Sequence, residues 1–68
     1  MSRREAEKVE VGVTMKRETD RAILINDGDH DIWLPKSQCE VEGGQYPEAG
    51  ETFNLMVADW LAKDKGLI

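Results

Sequence analysis

Arg21-Ala22-Ile23-Leu24-Ile25-Asn26-Asp27-Gly28-Asp29-His30-Asp31-Ile32-Trp33-Leu34-Pro35 is the stretch that decides the fold class. A β-branched apolar run meets an Asn-Asp-Gly-Asp tetrad, and a second apolar segment follows until Pro35 removes a backbone donor. Asp-Gly tolerates the positive φ of the primed hairpin turns, so the chain should reverse there and return as a strand over His30 to Leu34. The first arm is apolar at every position from Ala22 to Ile25, which predicts a central strand buried on both faces. The second alternates. Ile32 and Leu34 fall on one side and Asp31 and Trp33 on the other, so Trp33 is expected to face away from the core.

Upstream of this hairpin, Val9, Val11, Val13 and Met15 alternate with Glu10, Gly12, Thr14 and Lys16, the period of a half-buried strand. Residues 1–8 have no large apolar residue after Met1 and read as a mobile arm, and Arg17 to Asp20 read as a turn. Downstream, Gln38-Cys39-Glu40-Val41-Glu42 resumes alternation with Cys39 and Val41 inward, and Gly43-Gly44 ends it. Gln45 to Gly50 reads as a loop, after which Phe53, Leu55 and Val57 alternate with Thr52, Asn54 and Met56 in a fifth strand. A helix is predicted over 58–65, with an acid in its first turn, cations in its last, Gly66 as the residue after the cap and Leu67 folding back in a Schellman-type contact. The expectation is one small mainly β domain over 9–68 with a short C-terminal helix. Its sheet is either a bent antiparallel sheet or an SH3-like or OB-like barrel of about five strands.

A chain of 68 residues buries little core, about 60% of its extended surface, so marginal stability or self-association is expected. Charge is uneven. Residues 1–17 carry five cations against three acids, and residues 18–68 carry four cations against eleven acids, within a net charge of −5. An acidic body repels phosphate backbones and disfavours nucleic acid as a partner, although surplus acids also serve simply to keep a small domain in solution. Cys39 is the lone cysteine, and no charged start is followed by an apolar stretch of signal-peptide length, which points to a reducing cytoplasm. The apolar runs are far too short to span a membrane.

Asp27-Gly28-Asp29-His30-Asp31 brings three carboxylates and an imidazole together, yet Ile32 stands where a calcium loop needs its glycine and Gln38 where it needs its bidentate glutamate. An exposed hairpin tip is the simpler reading. His30 and Cys39 have no zinc-spaced companions and fall on different faces of the expected sheet, so neither a metal site nor a nucleophile–base pair is expected. No catalytic residues and no cofactor are therefore assigned, and the chain reads as a non-enzyme.

The two tryptophans remain. Trp60, beside Leu61 on a short helix, reads as core. Trp33, Lys36, Gln38 and Tyr46 read as an aromatic and polar binding patch of the composition found at interface hot spots. The leading expectation is a protein-interaction module. The alternative is a single-stranded nucleic-acid binding module in which Trp33 stacks a base while Arg3, Arg4, Lys8, Lys16, Arg17 and Lys36 meet phosphates. A third is a small structural subunit that dimerises through an edge strand.

Three segments carry a resemblance: Lys16-Arg17-Glu18-Thr19-Asp20, Trp33-Leu34-Pro35-Lys36-Ser37-Gln38 and Trp60-Leu61-Ala62-Lys63-Asp64-Lys65-Gly66-Leu67. Over most of residues 13–68 the chain resembles a group of short proteins of phages and bacterial genomes that have no assigned activity. The resemblance implies only a compact domain of phage or prophage origin; the protein-interaction reading would make it an accessory or inhibitor protein. Two departures are Val57-Ala58, where the related chains tend to have proline before the tryptophan helix, and the longer loop from Gly43 to Gly50.

Overall fold

Apolar residues at alternate, inward positions line the strands of the computed structural model, which describes residues 7–68. The strands are β1 (Lys8–Glu18), β2 (Ala22–Asn26), β3 (Asp31–Pro35), β4 (Cys39–Val41) and β5 (Thr52–Ala58), followed by the helix α1 (Asp59–Asp64). A short 3₁₀ turn occupies Lys36–Gln38, and a glycine turn with positive φ occupies Glu42–Gly44. The strands form one antiparallel sheet in the order β3-β2-β1-β5-β4. The fold is therefore mainly β, and of the two layouts expected it is the unclosed sheet, since no ladder joins β3 to β4. Of the arm expected over 1–8, residues 1–6 lie outside the described residues, and Lys8 already opens β1.

β1 holds the sheet together. Its first half pairs with β5, from Lys8 opposite Ala58 to Thr14 opposite Thr52, and its second half pairs with β2. The two ladders overlap at Thr14, which faces Asn26 on one side and Thr52 on the other. Lys16 is an extra residue between the Met15–Ile25 and Arg17–Leu24 pairs, a β-bulge that bends the strand where it changes partners. The bulge also explains why β1 outlasts its alternating pattern. Arg17 and Glu18, expected in a turn, stay in the ladder with their phase shifted by one residue. The turn itself is Thr19-Asp20-Arg21, held by the Thr19 hydroxyl, which accepts from the Ala22 N–H at 3.0 Å.

Curvature is also required by the chain's own path. The edge strands β3 and β4 are joined by only the three residues Lys36–Gln38. A flat sheet of this order would set its edges about 19 Å apart, whereas such a turn advances only about 6 Å. The sheet must therefore curl until the end of β3 approaches the start of β4.

The concave face holds the core: Val13, Met15, Ile23, Ile25, Leu34, Cys39, Leu55 and Val57, with Ala58, Leu61 and Ala62 where α1 begins and packs. β2 contributes Ile23 and Ile25 inward, while Leu24 is only half-buried on the outer face. The expectation that this strand is buried on both faces is thus corrected: it has strand neighbours on either side, and among the described residues no second layer covers the outer face of the sheet. α1 starts without a side-chain cap, and the Asp59 N–H instead donates to the Glu7 carbonyl at 3.0 Å, an extension of the β1–β5 ladder. It ends as its sequence directs. Gly66, at φ 75°, lets its N–H donate to the Lys63 carbonyl and the Leu67 N–H to the Ala62 carbonyl, the paired bonds of a Schellman motif.

Two side chains hold the β2–β3 hairpin: Asn26 donates to Asp31 Oδ1 and accepts from the Gly28 N–H, each at 2.8 Å, and Asp27 adds two bonds. Asp27 Oδ1 accepts from the backbone N–H of His30 at 2.8 Å and of Asp29 at 2.9 Å, while Gly28 takes a φ of 108°. These bonds favour the carboxylate, so the Asp27 carboxyl lies below its ordinary value of 3.8. A group depressed on folding stabilises the fold above its unfolded pKa and withdraws that contribution as pH falls through the lower, folded value. The hairpin-tip amides of Asp29 and His30 are therefore expected to lose hydrogen-exchange protection on acidification below pH 3.8, and Asp27→Asn to blunt that dependence. Amide exchange followed across that range by NMR checks it.

Candidate functional site

Trp33 sits on β3, the sheet's outer strand, with its indole on the convex face. The register places Arg17, Leu24 and Trp33 in one row across β1, β2 and β3 on that face. Trp33 is 47% exposed while Leu34, the next residue, lies fully buried opposite Ile23. Strand alternation alone produces this split, and Trp33 is exposed on that face among the described residues.

Around the turn after β3 lies a second cluster. The Lys36 Nζ donates to Glu18 Oε2 at 2.7 Å and stands 5.4 Å from the centre of the Tyr46 ring. Tyr46 is half-buried against the core, and burial first, then repulsion from the Cys39 thiolate once it ionises and from Glu18 and Glu40, raise its phenol above the usual range. Lys36 thus acts as a clasp between the end of β1 and the loop after β4, near the point where the two sheet edges converge.

Of the four expected patch residues, the structure brings Lys36 and Tyr46 together and adds Glu18. Trp33 belongs to the convex row, and Gln38 is half-buried in the turn beside Lys36. Among the described residues, no hydrogen bond or cation–π contact ties Trp33 or Gln38 to the clasp. Glu18 escapes the sequence reading because it pairs across eighteen positions and lies beyond the bulge. The expectation for Trp60 is overturned. It is 46% exposed, and Leu61 and Ala62 fill the helix's buried face. A helix this short buries only a narrow stripe, and the smaller pair fits under it.

Near β4 an open depression of about 630 Å³ is lined by Glu10, Glu40, Glu42, Asn54, Met56 and Tyr46, among others. Glu10, Met56 and Glu40 form a row across β1, β5 and β4, so two carboxylates flank one methionine on the convex face. Among the described residues, no group of three or more His, Cys, Asp or Glu side chains is placed to hold a metal ion.

Cys39 is buried, and loss of water pushes its thiol up to about 11 despite the positive charge of Lys8. His30 is exposed at the hairpin tip. The thiol is expected to react with a disulfide reagent at neutral pH at least about tenfold more slowly than in urea-unfolded protein, which a stopped-flow labelling assay checks. Because its pKa rises on folding, Cys39 stabilises the fold below its unfolded value of 9.0, and that contribution is lost as pH climbs towards about 11.

Among the described residues, no helix is long and apolar enough to cross a membrane. Comparison with family models, with characterised proteins and with solved structures finds no match to this chain.

Proposed function

We propose that the chain is a non-enzymatic protein-interaction module working in the cytoplasm, with Trp33 as the anchor of its binding face. The observation that carries this reading is Trp33 itself, half-exposed on the outermost strand when the same strand buries Leu34 completely. An indole in water forgoes the gain of burial, about 1.5–3 kcal/mol for a large apolar side chain, unless a partner covers it. The acidic surface, net charge −5, selects for a basic partner by long-range attraction. An accessory or inhibitor role in a phage or its host suits such a module and the resemblance noted above.

Arg17, in the same row as Trp33, is the feature that supports single-stranded nucleic acid as the second reading. Against it stands Lys36, the cation nearest in sequence, which is already engaged by Glu18 and Tyr46.

The test uses Trp33→Ala and Trp60→Ala variants beside the unaltered chain as affinity baits in lysate of the source cell. A partner lost with Trp33→Ala and kept with Trp60→Ala supports the reading; capture indifferent to Trp33 refutes it. Fluorescence titration with labelled single-stranded oligonucleotides at low and moderate salt decides the second reading, since stacking quenches Trp33 and phosphate contacts weaken with salt.

A further inference from the structure

We propose that β3 is a docking edge for an extended segment of a partner protein that alternates apolar and basic residues, added to the sheet as a further strand beside Trp33. This rests on the interaction reading above and names the mode and chemistry of the partner.

Hydrogen bonds at both ends of the β2–β3 ladder fix which backbone groups are free. The Asp27 N–H donates to the His30 carbonyl at 3.1 Å, and the Lys36 N–H donates to the Arg21 carbonyl at 2.7 Å. Bonded pairs in an antiparallel ladder recur at every second residue. Ile32 and Leu34 therefore turn their backbone groups towards Ile25 and Ile23, while Asp31, Trp33 and Pro35 turn theirs outward. All three of these residues are exposed, and β3 ends the sheet. The outward N–H groups of Asp31 and Trp33 and the outward carbonyls of Asp31, Trp33 and Pro35 form a template for strand addition. Pro35, with no N–H, closes the template at one end. The opposite edge is a poorer one: β4 has three residues before Gly43 and Gly44 carry the chain off at φ 85° and 78°.

Side chains state what the added strand must carry. On the convex face it would lie beside Asp31 and the indole of Trp33, with Asp27 and Asp29 at the hairpin tip; Asp31 and Asp27 already accept hydrogen bonds within the hairpin, so a lysine or arginine answers their negative charge and the aromatic ring. On the concave face it would lie beside Ile32, which is half-buried at the rim of the core and takes an apolar neighbour. The same electrostatics disfavour a second copy, because two chains of net charge −5 repel. A copy paired symmetrically about Trp33 would also set Pro35 against Asp31 and forfeit a ladder bond at each end.

The probe is a fluorescein-labelled octapeptide alternating valine with lysine or arginine, titrated into the whole protein with anisotropy and NMR readouts. The expected result is binding in which the Asp31 and Trp33 amides shift and gain exchange protection. N-methylation of one alternate set of peptide amides should weaken it about tenfold or more, and methylation of the other set should change it by less than about twofold. Equal weakening by both sets, absence of binding at low salt, or dilution-dependent protection of Asp31 and Trp33 without peptide each overturns strand addition. Those failures leave Trp33-dependent capture of a cellular partner intact, so they are separable from failure of the interaction reading itself.

Discussion

Leu34→Ala is expected to remove a large share of the chain's stability, and Trp33→Ala, one residue earlier, to remove little of it. Leu34 is fully buried opposite Ile23, and emptying such a site costs about 2–5 kcal/mol. At about 0.05–0.15 kcal/mol per residue, a chain of this length has only about 3–10 kcal/mol in total, so this one truncation removes much or all of it. Trp33 lies on the convex face with nearly half its surface in water, and its loss should shift stability by no more than about 1 kcal/mol. Urea titrations of the two variants, monitored by far-ultraviolet circular dichroism, check the contrast. Comparable destabilisation by both would mean that Trp33 is part of the core and would remove the anchor from the proposed binding face.

The second Trp-Leu pair is expected to behave the same way with a larger effect. Leu61→Asp places a carboxylate among Ala58, Ala62 and the inner residues of β1 and β5, with no partner to receive it. An unpaired buried charge of this kind should cost more than about 4 kcal/mol at neutral pH. Burial would raise the pKa of the new carboxyl, so its penalty should shrink as acid protonates it, and the urea midpoint of Leu61→Asp should move towards the unaltered chain as pH is lowered from 7 to 4. Trp60→Ala should stay near the parent at both values. A Leu61→Asp protein as stable as the parent would show that α1 does not seal the core.

The two Trp-Leu pairs also show where the sequence was legible and where it was not. In Trp33-Leu34 the period of two decides which residue is inside, because a strand has only two faces, and Pro35 marks where the strand stops. In Trp60-Leu61 neighbouring positions of a six-residue helix stand a fixed rotation of about 100° apart, so which of them turns inward depends on how the helix sits on the sheet, and the larger side chain turned out to be the exposed one. The Asp27-Gly28 turn and the Gly66 cap are set by local backbone bonds and could be read directly. The clasp of Lys36 with Glu18 and Tyr46 could not. It depends on the curl of the sheet and on the bulge at Lys16, which shifts the phase of Arg17 and Glu18 away from the pattern of the preceding strand. The strand order likewise follows from long-range pairing of β1 with β5, about which local periodicity is silent.

That pairing sets an order of events during folding. β1, β2 and β3 are consecutive hairpin partners and close small loops, whereas β1 meets β5 across most of the chain, a slow search once loop entropy is counted. On a ribosome the meander of β1, β2 and β3 can form before β5 has left the exit tunnel. Val9, Val11 and Val13 then have no ladder partner until Phe53, Leu55 and Val57 emerge. The nascent chain thus exposes half of its organising strand until β5 has emerged. Substitutions in β5 should reduce the yield of soluble protein more than equally destabilising substitutions in β2 or β3.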